Sequence, residues 1–346
     1  MNLLFALFLL SQTSQPGQTV APAQRAGALA FSVIPGLVWP GAGHFWAGDS
    51  EGAKRLTWWG AAGLGLAGVG GLAIAATNSS RHAAWFPVSA LWLGATSFLA
   101  AKLADSYGVG FGGRTAHAAP TPLWEVRAGL LWADDALAAD HGFAQLGADL
   151  HWRAWHAALE TEAAPSGDDR RFRLHLGRRF GLPPVRSGDG SFWEAGLAVA
   201  EWRFGADPVR LTTFEARLTH RRDLKRVHPT LSGSFVQADL GFGLEFAGYP
   251  GLQTFGDREV SRLALGSLAT GVYLGHGAGE VAFFYDHRHD TRAGGLQLRV
   301  SGDGPAGAVG LRGRHRVTDG WSLTWDVTRG AHWVVGLGLT WQGGAK

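Results

Sequence analysis

Cysteine is absent from the 346 residues, methionine occurs once, and lysine is nearly missing beyond the N-terminal third. The first absence excludes disulfides and thiolate metal sites. The last is informative for a β-rich chain, because lysine is the usual guard on a sheet that faces water. A surplus of one charge sign is lacking too: the formal net charge is +3, and residues 122–346 hold 25 basic and 25 acidic side chains. A nucleic-acid binder needs a one-signed basic face, so nucleic acid is not an expected partner. No G-x-S-x-G elbow occurs. The glycine run Gly108-Val109-Gly110-Phe111-Gly112-Gly113 follows an apolar stretch rather than a strand, which is the wrong context for a nucleotide loop, and no cofactor is expected.

What is present is glycine (52 residues), tryptophan (16) and a 46% hydrophobic content beside only 17% charged residues. This mixture lies between a soluble enzyme and a helical membrane bundle. Leu3 to Leu10 form a short apolar run, followed by a polar, Pro/Gln-rich segment ending at Ala21-Pro22-Ala23, so residues 1–23 are expected to be an export signal. Two further apolar stretches, 56–76 and 84–104, each approach the ~20 residues that cross a bilayer as a helix. A hairpin within residues 24–108 is expected, turning at Asn78-Ser79-Ser80-Arg81-His82, with Lys54, Arg55 and Lys102 at its outer ends. Gly60, Gly63, Gly68 and Gly71 in the first helix allow a second helix to approach closely.

Before this hairpin stands Pro40-Gly41-Ala42-Gly43-His44-Phe45-Trp46-Ala47-Gly48, and after it Asp105-Ser106-Tyr107. The segment resembles the short bacterial two-helix membrane-hairpin families that carry P-G-x-G-x-x-Y-x-G before the first helix. Pro40, Gly41, Gly43 and Gly48 match, Trp46 stands in the tyrosine position, and Asp105-Ser106-Tyr107 is similar to a D-x-Y that closes related hairpins. The resemblance covers about residues 31–108. It implies membrane association and brings no catalytic residue.

Residues 109–121 read as a linker, after which the period of the pattern changes to two. Trp124, Val126, Ala128, Leu130 and Trp132 share one face opposite Glu125 and Arg127; Val236 to Phe246 and Trp321 to Val327 alternate in the same way. About twelve segments are predicted, near 123–132, 143–163, 169–181, 191–204, 208–222, 230–247, 259–275, 279–289, 293–302, 306–317, 320–329 and 331–342. The second changes parity between Trp152 and Trp155, which implies a bulge or a tight hairpin. A soluble β-sandwich alternates as well. The arginine-rich, lysine-poor polar face and ten tryptophans, most near strand ends, point instead to an antiparallel transmembrane β-barrel of about 12 strands over residues 122–346, preceded by the α-helical hairpin.

The expected function is that of a non-enzymatic outer-membrane barrel, serving as a narrow pore or a structural element. Membrane lipids are its expected partners, with lipopolysaccharide or envelope proteins beyond them. Expected lumen-lining residues are Glu125 and Arg127, Glu215 and Arg217, Asp239 and Glu245, then Arg312, Arg314, Arg316 and Asp326. Two alternatives stand beside it. One is an outer-membrane enzyme acting on lipid or peptide, for which Ser232, Ser234, Ser267 and Ser322 are strand serines without a spaced histidine. The other is an inner-membrane anchor carrying a soluble periplasmic β domain. His287 and His289 share one side of a strand and are the weak metal candidates of the sequence; otherwise no metal is expected.

Overall fold

The computed structural model describes residues 22–76, 85–111, 116–134, 141–166, 168–181, 188–204, 210–248, 259–288, 296–297 and 305–344. The expected export signal falls almost wholly outside them. Four helices come first: α1 (Pro22–Val33), α2 (Ala42–Trp46), α3 (Ser50–Ala76) and α4 (Trp85–Phe111). Strands follow: β1 (Trp124–Ala133), β2 (Gly142–Trp152), β3 (Trp155–Ala163), β4 (Arg170–Phe180), β5 (Phe192–Arg203), β6 (Arg210–Asp223) and β7 (Ser234–Gly248). Then come β8 (Glu259–Leu274), β9 (Gly279–Asp286), β10 (Leu296–Gln297), β11 (Pro305–Ala306), β12 (Ala308–Arg316), β13 (Trp321–Arg329) and β14 (Trp333–Gly343).

Twelve of these strands close into an antiparallel barrel, each beside its sequence neighbour, with β9 next to β12 and β14 next to β1. Closure runs in register from Trp124 opposite Gly343 to Ala133 opposite Val334. No sheet edge is left in the ring, and that removes the soluble sandwich. The medium outside follows from the outer face: Leu130 is 71% exposed, Leu197 and Leu240 67%, and Leu337 57%. Each large aliphatic side chain left in water forgoes about 1.5–3 kcal/mol. A whole wall of them is stable only against hydrocarbon. Six tryptophans, Trp124, Trp152, Trp155, Trp193, Trp321 and Trp341, line the outer wall on the β13–β5 side at the end where β1 starts and β14 stops, here called the near end. That is an arc of an interfacial girdle. Trp202 departs from it: it faces inward and its indole donates to Asp169 at 3.2 Å.

Strand count agrees with expectation through two differences that cancel. The segment 143–163 is two strands reversing at Arg153-Ala154, with Arg153 at φ 55°, which explains the parity change at Trp152 and Trp155. The segment 293–302 contributes no barrel strand among the described residues: Leu296 and Gln297 pair only with Ala306 and Pro305, apart from the barrel. Tertiary pairing of β9 with β12 overrides the local pattern there.

The helical hairpin lies against the outside of the barrel. Trp92 of α4 stacks on outward-facing Tyr285 of β9, with ring centroids 4.2 Å apart. Further along α4, the Tyr107 hydroxyl accepts the Gly275 N–H at 2.6 Å, and its ring joins Val272 and Leu274. Leu56 of α3 and Ala100, Ala101 and Ala104 of α4 pack on Leu224 and Leu231 in the β6–β7 connection. By length and composition α3 can cross a membrane, and its outer face is open, with Trp58 77% and Leu72 73% exposed.

The motif residues before the hairpin are joined to the end of α4. Buried Asp105 accepts the backbone N–H groups of Gly41 (3.0 Å), Gly43 (3.1 Å) and His44 (3.0 Å), and it bonds His44 Nδ1 at 2.7 Å. Gly41 has φ 106°, a left-handed conformation that glycine adopts without penalty, and this turns its N–H toward the carboxylate. Lys102, one turn earlier, donates to the carbonyls of Ser32 and Val33 at the end of α1.

Candidate functional site: the lumen

Alternation that sends the aliphatic residues outward sends a charged set inward. All ten residues expected in the lumen are on the inner face, but they have different surroundings. Glu215 is wholly buried and gathers three arginines: Arg173 at 2.7 Å, Arg217 at 3.0 Å and Arg288 at 2.7 Å. Arg288 follows β9 at the far end, so the connection folds inward there and its guanidinium reaches across to β6. Arg127 pairs with Asp149 at 2.8 Å, and Arg314 with Glu125 at 2.8 Å. Arg221 donates to Glu280, and its guanidinium lies 3.7 Å from the Phe235 ring centroid. Asp239 accepts from Thr219 and Ser267, while Glu245 faces a small cleft beside Arg171 and Trp202.

Arg312, Arg316 and Asp326 border open space. One cavity of about 440 Å³ is lined by Arg127, Glu160, Glu162, Arg312 and Asp326. A second, of about 740 Å³, is lined by His151, His156, Arg179, Glu194 and Arg316 and reaches the near end. They share Glu125, Arg127, Glu280, Arg312 and Arg314, so the two adjoin across these side chains and together make up a polar chamber. At the far end a buried apolar layer of Leu131, Ala133, Phe143, Ala164, Ala308 and Val334 lies above it. At the near end the segment expected to be a linker is hydrogen-bonded to the rim. His117 N–H donates to Gly275 O (3.1 Å) and Ala118 N–H to Gly188 O (3.0 Å) before the chain enters β1, so this strap crosses the mouth.

On that rim, between β4 and β5, Asp189 accepts from Arg226 and from the Ser191 N–H at 2.8 Å. Burial alone would raise the Asp189 carboxyl, but the hydrogen bonds from Ser191 and Arg226 prevail and hold its pKa below the ordinary value. A depressed carboxylate stabilises the fold above its unfolded pKa and loses that contribution as pH falls through its folded pKa. Amide exchange at Ser191, corrected for intrinsic rate, is therefore expected to quicken in acid; unchanged protection would refute the link.

The densest polar group was not marked by the sequence. Glu194 Oε1 lies 3.1 Å from His156 Nδ1 and 2.8 Å from His175 Nε2, and Arg179 Nε holds Oε2 at 2.6 Å. His156 Nε2 is 3.2 Å from Asp149, and its ring stacks on His151 with centroids 4.5 Å apart. These residues sit on β2, β3, β4 and β5, and only register brings them together. The one trace in the sequence is glycine at inward positions: a Cβ on Gly177 would come 2.8 Å from Glu194 Oε1 and 2.9 Å from His175 Nε2. Of the histidines singled out earlier, His287 bonds the Tyr285 hydroxyl at 2.8 Å, and His289 lies outside the described residues.

No protein-family model matches the chain. No curated protein matches its sequence. Among solved structures, the NanC porin aligns over 63% of this chain and 99% of its own, at 10% identity and a TM-score of 0.41. The outer membrane protein Omp33 of Acinetobacter baumannii covers 64% and 98%, at 8% identity and a TM-score of 0.36. Outer membrane phospholipase A from Escherichia coli covers 64% and 91%, at 12% identity and a TM-score of 0.37. One fold hosts many functions, so function has to be read from the site. Among the described residues none of the four serines considered above hydrogen-bonds to a histidine: Ser234 Oγ donates to Leu231 O at 2.6 Å and Ser267 to Asp239.

Proposed function

We propose that the protein is a non-enzymatic barrel of a bacterial outer membrane whose lumen is a narrow polar passage held shut at its far end. The observation that carries this is the shared chamber: cavities of about 440 and 740 Å³ with common walls, ended by one apolar layer and by Arg288. Three of the five near-end turns, β2–β3, β8–β9 and β12–β13, are short, as periplasmic turns are, and this supports a chamber that faces the periplasm and a closed end that faces out. Lipid hydrocarbon meets the aliphatic wall, with lipopolysaccharide and envelope proteins as its neighbours in that membrane. Ion pairing fills the β4–β8 side, while the open side carries both charge signs, with Arg312 and Arg316 of β12 facing Glu160, Glu162 and Asp326.

Planar-bilayer recording tests this. The unaltered barrel is expected to be silent or nearly so. Arg288→Ser combined with Phe143→Ser removes the crossing guanidinium and the largest apolar side chain of the far-end layer, and it is expected to give discrete current steps. A double variant that keeps heat-modifiable gel migration yet stays silent at every voltage would leave a structural scaffold in place of a passage.

A further inference from the structure

We infer that His156, His175 and Glu194 form a binding site for one divalent transition-metal ion of the zinc class, open to the near-end chamber. Two imidazole nitrogens and one carboxylate oxygen are the donor set that borderline divalent ions select, and their ligand atoms all lie within 4.8 Å of one another. Tetrahedral bonds of about 2.0–2.1 Å put neighbouring ligand atoms about 3.3 Å apart. The present separations of 3.1 and 2.8 Å from Glu194 Oε1 need to widen by only a few tenths of an ångström.

The surroundings are those of a metal site as well. A metal-bound histidine turns its other ring nitrogen to a carboxylate. His156 does so: Nδ1 points to the cluster while Nε2 faces Asp149, itself fixed by Arg127. Arg179 donates to Glu194 Oε2, which His156 Nδ1 also approaches at 3.1 Å, while Oε1 is the oxygen that meets both histidines. Gly177 lies opposite His156 on one side and Gly196 on the other, and the space their missing side chains leave is where the imidazole of His175 and the carboxylate of Glu194 meet. The remaining coordination position faces the chamber, which His156 and Glu194 both line, so water or an anionic solute completes the shell.

The test uses the untagged full chain in detergent micelles, titrated with Co²⁺ and followed by its visible d–d bands, then displaced with Zn²⁺. One equivalent with a tetrahedral spectrum is expected. His175→Ala and Glu194→Gln are each expected to abolish it, and Asp149→Asn to weaken it about 10–100-fold, the usual effect of losing an outer partner. Heat-modifiable migration reports that each variant still forms the barrel. Gly177→Ala, which leaves every ligand in place and fills the gap, should also lose the band. A folded parent that gives no saturable spectrum, or a spectrum unchanged in His175→Ala, overturns the inference.

Discussion

Leucine in place of Glu215 is expected to destabilise the barrel by about 3–5 kcal/mol, the range for stripping a buried charge of its partner. Glu215 has no exposed side-chain surface and Arg288 only 2%, while Arg173 and Arg217 are 17% and 22% exposed. Without the carboxylate, three guanidiniums face each other at the centre of the β4–β6 wall, and water reaches the most buried of them least. Equilibrium urea unfolding in lipid vesicles measures the loss. Glu215→Gln keeps the shape and one acceptor and should cost less. Adding Arg288→Met to Glu215→Leu should recover part of the stability, because it removes the charge with the least access to solvent. A Glu215→Leu barrel within about 1 kcal/mol of the parent would mean that lumen water screens the cluster, as it does for exposed pairs. The same carboxylate anchors the far-end connection, so the stability of the wall and the closure of the passage are coupled through Arg288.

The barrel was legible because a period of two carries the face of every residue with it: once Glu125 or Arg312 is inward, so is each second neighbour. Strand number came from turns and parity: the parity change at Trp152 and Trp155 marked the hairpin within 143–163, while local pattern and tertiary pairing disagreed at residues 293–302. The lumen charges could be named singly but their groupings could not. Glu215 meets Arg173 and Arg288 at sequence separations of 42 and 73. The histidine cluster was missed for the same reason, because His156 and Glu194 are 38 residues apart and meet only through the registers of β3, β4 and β5. Of His287 and His289, close in sequence, the first bonds the Tyr285 hydroxyl and the second lies outside the described residues. The place of the helical hairpin was also out of reach, since an apolar helix pattern does not say whether lipid or a barrel wall covers it. Tyr107 and Trp92 decide that here, by their contacts with Gly275 and Tyr285.

Removing the Asp105 carboxylate is expected to release the segment before the hairpin while leaving the barrel intact. Asp105→Ala deprives three backbone N–H groups and the His44 ring of their acceptor in a site closed to water. Each unsatisfied buried donor costs about 1–3 kcal/mol, which a short segment such as α2 cannot offset. The cheaper course is local opening, in which Gly41 to His44 detach and take up water, and that limits the loss to what the segment's own packing contributed. Asp105→Asn should behave nearly as badly, because its amide group brings donors to a place already crowded with them. Limited proteolysis reads the difference: cleavage within residues 34–49 should become rapid in both variants, while urea unfolding of the barrel moves little. Protection equal to the parent would show that Lys102 and the α1–α2 packing hold the segment without the carboxylate. Loss of the whole barrel would show instead that the motif is needed for α4 to dock on β8 and β9, which would make the hairpin part of the barrel's stability rather than an attachment to it.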